Sequence, residues 1–168
     1  MKIYTSYFYQ IRFFPKNTYP LSTAVWDPAW FHDNKGQKHI FIDKRGIFNG
    51  LRAEPFVPGK ACEGLCHGPE GCEYKSEDCP FLKKYREQLD SYDFNAILDR
   101  FNNLANRLSK VDDIKNDINF ALIFHEAPNN PCSERWPVQA WFKDHGMEIK
   151  EFNSKEGKKN VIPKPDIW

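Results

Sequence analysis

Residues 118–124 read INFALIF, and the reading of this stretch decides the fold. It is a continuous apolar run of strand length, bounded by polar residues, and such runs suit a strand covered on both faces. On its N-terminal side Phe94, Ile97, Leu98, Phe101, Leu104, Ala105 and Leu108 recur every three or four residues. That period predicts an amphipathic helix, with Ser91 or Asp93 placed to cap it. A shorter helical pattern, Phe81, Leu82, Tyr85 and Leu89, follows Pro80. On the C-terminal side Val138, Trp141 and Phe142 form the apolar stripe of another helix, and Gly146 supplies its stop. MEIKEF (147–152) then reads as a short final strand.

Further out, KIYTSYF (2–8), TYPLSTAVW (18–26) and KHIFID (38–43) carry the β-branched and aromatic content of strands. Pro20 confines the second of these to a sheet edge or to a first strand position. Strands alternating with helices make an α/β protein with at least one parallel unit. The expectation is a three-layer sandwich with a mainly parallel sheet, one domain over residues 1–168, and a small inserted loop over 60–80. In such sheets the ligand lies beyond the carboxyl ends of the strands. That rule selects Thr5 and Ser6, Ser22 and Thr23, and His125 and Glu126.

The charge balance, 24 basic against 23 acidic residues, supplies no case for a nucleic-acid or membrane partner. No apolar run approaches the length of a membrane span, and the opening residues lack the pattern of a leader, so the chain is expected to be cytoplasmic. In that compartment clustered thiols stay reduced and commonly bind metal.

Four of the five cysteines, Cys62, Cys66, Cys72 and Cys79, crowd into residues 61–80 with the spacing C-x3-C-x5-C-x6-C. Thiolates are soft ligands, and four of them suit zinc or an iron–sulfur cluster. Gly64, Gly68 and Gly71 would let the backbone close round an ion, and His67 could replace one thiol. Zinc is the expected cofactor and an iron–sulfur cluster the alternative. The spacing lacks a C-x2-C half-site, and Cys79–Pro80 resembles the ending of some cluster motifs. Reduced thiols without metal, or disulfides in an exported protein, are the remaining readings.

The fifth cysteine, Cys132, falls where a strand–loop segment meets a helix. Pro137 belongs in the first helical turn, which starts the helix near Ser133 or Glu134. A thiol there is favoured as thiolate by unpaired N–H groups and the helix dipole. The dipole contributes only about 0.3–1 kcal/mol, so it does not activate a thiol alone. Arg135 would add to it or hold an anionic substrate, and Glu126 and His125 would serve as acid or base. Against this, a lone cysteine is among the most buried residue types and commonly just packs. Trp26, Trp30 and Phe31 offer rings that stack on a planar ligand or on one another.

At these residues the chain resembles a known family, domain-of-unknown-function family 488. IYTSYFYQIRFFPKNTYPLSTAVWDPAWF (3–31) is similar to its opening, through Thr5, Ser6, Arg12, Ser22 and Pro28. FALIFHEAPNNPCSERWPVQAWFKDHGMEIKEF (120–152) is similar to its closing unit, through Glu126, Pro128, Cys132 and Arg135. The family's Cys–His–Arg motif stands here as Cys132, Ser133, Glu134, Arg135, without the histidine and with the arginine one place later. The resemblance implies an α/β fold and a site joining Ser6, Glu126, Cys132 and Arg135. It supplies no reaction.

Two functions follow as expectations. One is a small enzyme acting on a nucleotide- or nucleobase-like substrate, with Cys132, Glu126, Arg135 and Ser6 catalytic and Thr5, Arg12, Ser22, Trp26 and His125 binding. The other is a non-catalytic binding module whose metal loop contacts a protein or nucleic acid.

Overall fold

The computed structural model describes residues 1–32, 40–44, 46–65, 78–112 and 117–152. Its centre is the apolar run, which forms strand β5 (Asn119–Phe124). β5 lies between β1 (Ile3–Tyr7) and β2 (Thr18–Ser22), and β6 (Lys150–Glu151) pairs with the far side of β1. All four strands run parallel, giving the order β2-β5-β1-β6. The expected α/β architecture with a mainly parallel sheet is therefore present. Pro20 sits inside β2, an edge strand of the sheet paired along its length with β5, and so does not need a full set of N–H donors. At its last residue, Ser22 also bridges to Arg52, with the Ser22 N–H donating to the Leu51 carbonyl at 2.9 Å.

Alternation along β5 divides the core. Phe120, Leu122 and Phe124 share one apolar cluster with Ile3, Tyr19 and Leu21, under the three α-helices. Ala121 and Ile123 face the other way, against Phe8, Ile11, Phe14, Phe31 and Ile47. All three α-helices thus cover one face: α1 (Pro80–Asp90), α2 (Phe94–Asp112) and α3 (Arg135–Asp144). The second face is covered by a six-residue 3-10 helix, Phe8–Phe13, and by irregular chain. The β1→β2 connection moves one way across the sheet on this second face, and β5→β6 moves the other way on the helical face. The crossovers therefore share one hand, as parallel connections require.

The helices begin and end where their residue types dictate. Pro80 opens α1, where its missing N–H is not needed. Asp93 caps α2, its Oδ1 accepting from the Ala96 N–H at 2.8 Å. Gly146 ends α3 with φ +80°, which lets its N–H reach the Lys143 carbonyl and that of Met147 reach Phe142, both at 2.9 Å. Val138, Trp141 and Phe142 of α3 are fully buried, with Phe56 stacked on Phe142 at 5.9 Å.

The third predicted strand is described from residue 40 onward. Residues 38 and 39 lie outside the described residues; of 40–43, Phe41–Ile42 is extended (β3), and it pairs antiparallel with Phe48–Asn49 (β4) in a separate hairpin. The inserted loop is described at its two ends. A 3-10 turn, Lys60–Cys62, packs against α1, whose first residue follows Cys79. Cys66 and Cys72, with His67, lie outside the described residues. No helix among the described residues is long and apolar enough to cross a membrane.

Candidate functional site

Parallel strands put all their carboxyl ends on one edge, and two polar networks occupy it. The first is built round Arg135, the opening residue of α3, whose side chain is fully buried. A cation at a helix N-terminus is disfavoured by the dipole and, when buried, must be paired. Each of the three guanidinium nitrogens of Arg135 has an acceptor. Nη1 donates to Glu151 Oε1 at 2.7 Å, Nε to Ser133 Oγ at 3.2 Å, and Nη2 to the Glu126 carbonyl. The Phe124 ring lies 5.5 Å from the guanidinium carbon. The other oxygen of Glu151 accepts from Thr5 Oγ1 at 2.7 Å, and Gln139 Nε2 donates to the same hydroxyl at 2.6 Å. One guanidinium therefore locks the β5–α3 loop, β1 and β6 together.

Beside it stands a pair of carboxyl groups. Glu134 is pushed up from 4.5 to about 8, first by burial and then by the negative charge of Glu126, and its hydrogen bond to the Glu126 side chain acts in the same sense. The backbone N–H of Glu134 and the nearby Arg135 oppose the rise. Part of the Glu134 residue touches solvent while its carboxyl group is crowded by protein. On Glu126, Oε2 is buried with no donor among the described residues. At neutral pH Glu134 therefore keeps its proton, shared across its hydrogen bond to the Glu126 side chain. A buried carboxyl group that keeps its proton near neutrality, with a second carboxyl group beside it, has the makings of a general acid. The charge of Glu134 also reaches Cys62 and Tyr85. Burial is the main cause raising both of those groups, with Glu134 adding to it.

Cys132 precedes α3 by three residues and is half-buried in the turn that leads into it. Its N–H donates to Asn130 Oδ1 at 2.9 Å, and Trp136 Nε1 donates to the Asn130 carbonyl at 2.9 Å. The helix thus starts one or two residues later than the proline position implied.

The second network lies beyond β2. The Asp27 side chain is wholly enclosed and accepts from Ser22 Oγ and from Arg52 Nη1, the latter at 2.5 Å. His32 Nε2 stands 3.6 Å from the same carboxylate, while His32 Nδ1 is buried with no partner among the described residues. Arg52 also donates to the Ala24 carbonyl at 2.8 Å and to Glu54 at 2.9 Å. His125 bonds the Trp26 carbonyl through Nε2. Outside this cluster Trp26 is 79% exposed and Trp30 48% exposed, unusual for large rings. Phe8 packs edge-on against Trp30 at 5.9 Å and tilted against His125 at 5.2 Å.

Register separates residues that the sequence places side by side. Thr5 pairs with Leu122 and faces the helices; Ser6 pairs with Ile123 and faces away, as does Ser22. Thr5, Glu126 and Arg135 are brought together. Ser6 Oγ is buried without a partner among the described residues, on the opposite face from Thr5. Arg12 lies in the Phe8–Phe13 helix, exposed over the Tyr9 ring at 4.0 Å, away from both networks. Trp26 and His125 join the second network. Sequence reading missed Glu134, Glu151, Gln139, Asp27, His32 and Arg52. Asp27 alone carried a local signal, an acid immediately after a strand end and before Pro28.

Cys62 and Cys79 are both buried, in the helical-face cluster. Among the described residues no group of three or more histidine, cysteine or acidic side chains is arranged to hold a metal ion. Comparison of the chain with protein-family models, with curated proteins and with solved structures finds no match.

Proposed function

We propose that the protein is a small cytoplasmic enzyme of the domain-of-unknown-function family 488 type, a three-layer α/β sandwich acting on a nucleotide- or nucleobase-like substrate at the carboxyl edge of its sheet. The observation that carries this is the Glu126–Glu134 pair: a carboxyl group whose proton affinity is raised by burial and by its carboxyl neighbour, at the edge where such folds bind ligands. Glu134 donates its proton to a departing atom, and Glu126 accepts one from the attacking group. Cys132 acts as nucleophile or as an anion-site thiol. Arg135 has its donors committed to Glu151, Ser133 and Glu126, so it positions the loop carrying the acids. The exposed rings of Trp26 and Trp30 favour a planar substrate.

Zinc held by Cys62, Cys66, Cys72 and Cys79 belongs to the same proposal, with an iron–sulfur cluster as its alternative. The fit rests on Cys62 and Cys79. Both thiols are buried; burial raises the Cys62 thiol, and a bound cation would compensate its thiolate. Bound there, zinc would tie the two ends of the loop together.

A second reading, a non-catalytic binding module, is favoured by the exposed Val25, Trp26 and Trp30, which suit a macromolecular partner equally well. Thermal-shift titration with nucleobases, nucleosides and nucleoside monophosphates tests the enzyme reading. Stabilisation that Trp26→Ala weakens and Glu134→Gln leaves in place, with turnover lost in Glu134→Gln, supports it. No shift with any member of the series removes the nucleotide-like substrate.

A further inference from the structure

Beside Leu21 of β2, residues 52–56 and α2 line a pocket of about 260 Å³ that opens to solvent. Leu21, Phe56, Ile97, Phe101 and Leu104 give it apolar walls. Three charged residues, Arg52, Glu54 and Arg100, also line it. Arg52 is committed to Asp27, Ala24 and Glu54, and Glu54 is thereby engaged as well. Arg100 is exposed and makes no ion pair among the described residues. An open cation at an otherwise apolar pocket is the pattern of a site that orients one anionic group and buries the rest of its ligand.

We propose that this pocket binds a small carboxylate carried on an aromatic ring, with the ring against Phe56, Phe101 and Leu104 and the carboxylate on Arg100. Size supports the choice. An apolar cavity of about 150 Å³ accommodates benzene. The volume here therefore takes one ring and a short charged arm. Charge supports it too, because Arg52 is neutralised by its own partners and Arg100 is the cation that remains. None of the lining residues belongs to the Glu126–Glu134 pair, so this inference stands or falls separately from the proposed enzyme.

The test is a nitrogen–proton NMR titration with 3-phenylpropionate and, in parallel, its neutral amide. Shifts are expected at residues 52–56 and 97–104, with the acid binding about two- to fivefold tighter than the amide. Arg100→Gln, an exposed change that leaves the core intact, should equalise the two ligands, and Leu104→Trp should block both. Equal binding of acid and amide to the unaltered protein overturns the proposal. So does an acid preference that survives in Arg100→Gln, shifts that map elsewhere, or no shift at saturating ligand.

Discussion

Replacing Glu134 by glutamine keeps the shape of the side chain and removes its titration. In the folded protein Glu134 releases its proton near 8, whereas an exposed glutamate does so near 4.5. Between those values the folded state holds a proton that the unfolded chain has lost, so stability falls as pH rises. The contribution is fully present below about 4.5 and is gone above about 8. At about 1.4 kcal/mol per pKa unit, the loss across this window is at most about 5 kcal/mol. Part of Glu134 touches solvent, which places the true figure below that ceiling. The variant's amide offers Glu126 a hydrogen bond at every pH, so its stability lacks this slope. Urea unfolding followed by tryptophan fluorescence, between about pH 5 and pH 9, measures both proteins. Other titrating groups cancel in the difference between them, because they are common to both. The variant should gain on the parent by several kcal/mol as pH rises. A difference that stays constant across the range would refute the shared-proton account of this pair.

Other outcomes follow from the same structure. Arg135→Met leaves Glu151 without its cation and frees the β5–α3 loop, and should cost about 3 kcal/mol in urea unfolding, partly recovered when Glu151→Gln is added. Asp27→Asn removes the carboxylate shared by Arg52 and Ser22 and should cost about 3 kcal/mol, with the Trp26 emission shifting as the loop loosens. Gly146→Ala meets no atom within 4 Å, so its cost is backbone strain alone at φ +80°, about 1 kcal/mol by the same unfolding assay. Elemental analysis of protein prepared without air should find one zinc per chain, removed by chelation, and Cys62→Ser should abolish it; protein that contains no metal contradicts the cysteine reading.

What could be read from residue order was local. β5 was legible because INFALIF has no polar face to offer, and α2 because its apolar positions keep helical period over a long span. The stop at Gly146 was visible for the same reason: one residue type satisfies one backbone requirement. The hairpin of β3 and β4 was not, since two extended residues leave no period to detect. At the candidate site, position along the chain nominated Glu126 and Arg135, which the structure places in one network, with the arginine bonded to Glu151 rather than open to a ligand. Glu151 lies 16 residues from Arg135, and nothing nearby announces the pairing. The Asp27–Arg52 contact, 25 residues apart, is invisible for the same reason. Thr5 and Ser6 look equivalent as neighbours, and only strand register sends them to opposite faces.

The position of β5 also bears on how the molecule is made. β1 and β2 do not pair with each other; each pairs with β5. Thr23 and the carbonyl that receives its hydroxyl are 100 positions apart. During synthesis the first two strands therefore leave the ribosome with bare edges and wait for most of the chain before their common partner arrives. Closure of so long a loop is slow, and unpaired edges invite association with other nascent chains. A message truncated before residue 119 would yield a polypeptide with two orphan strands and no means of burying them.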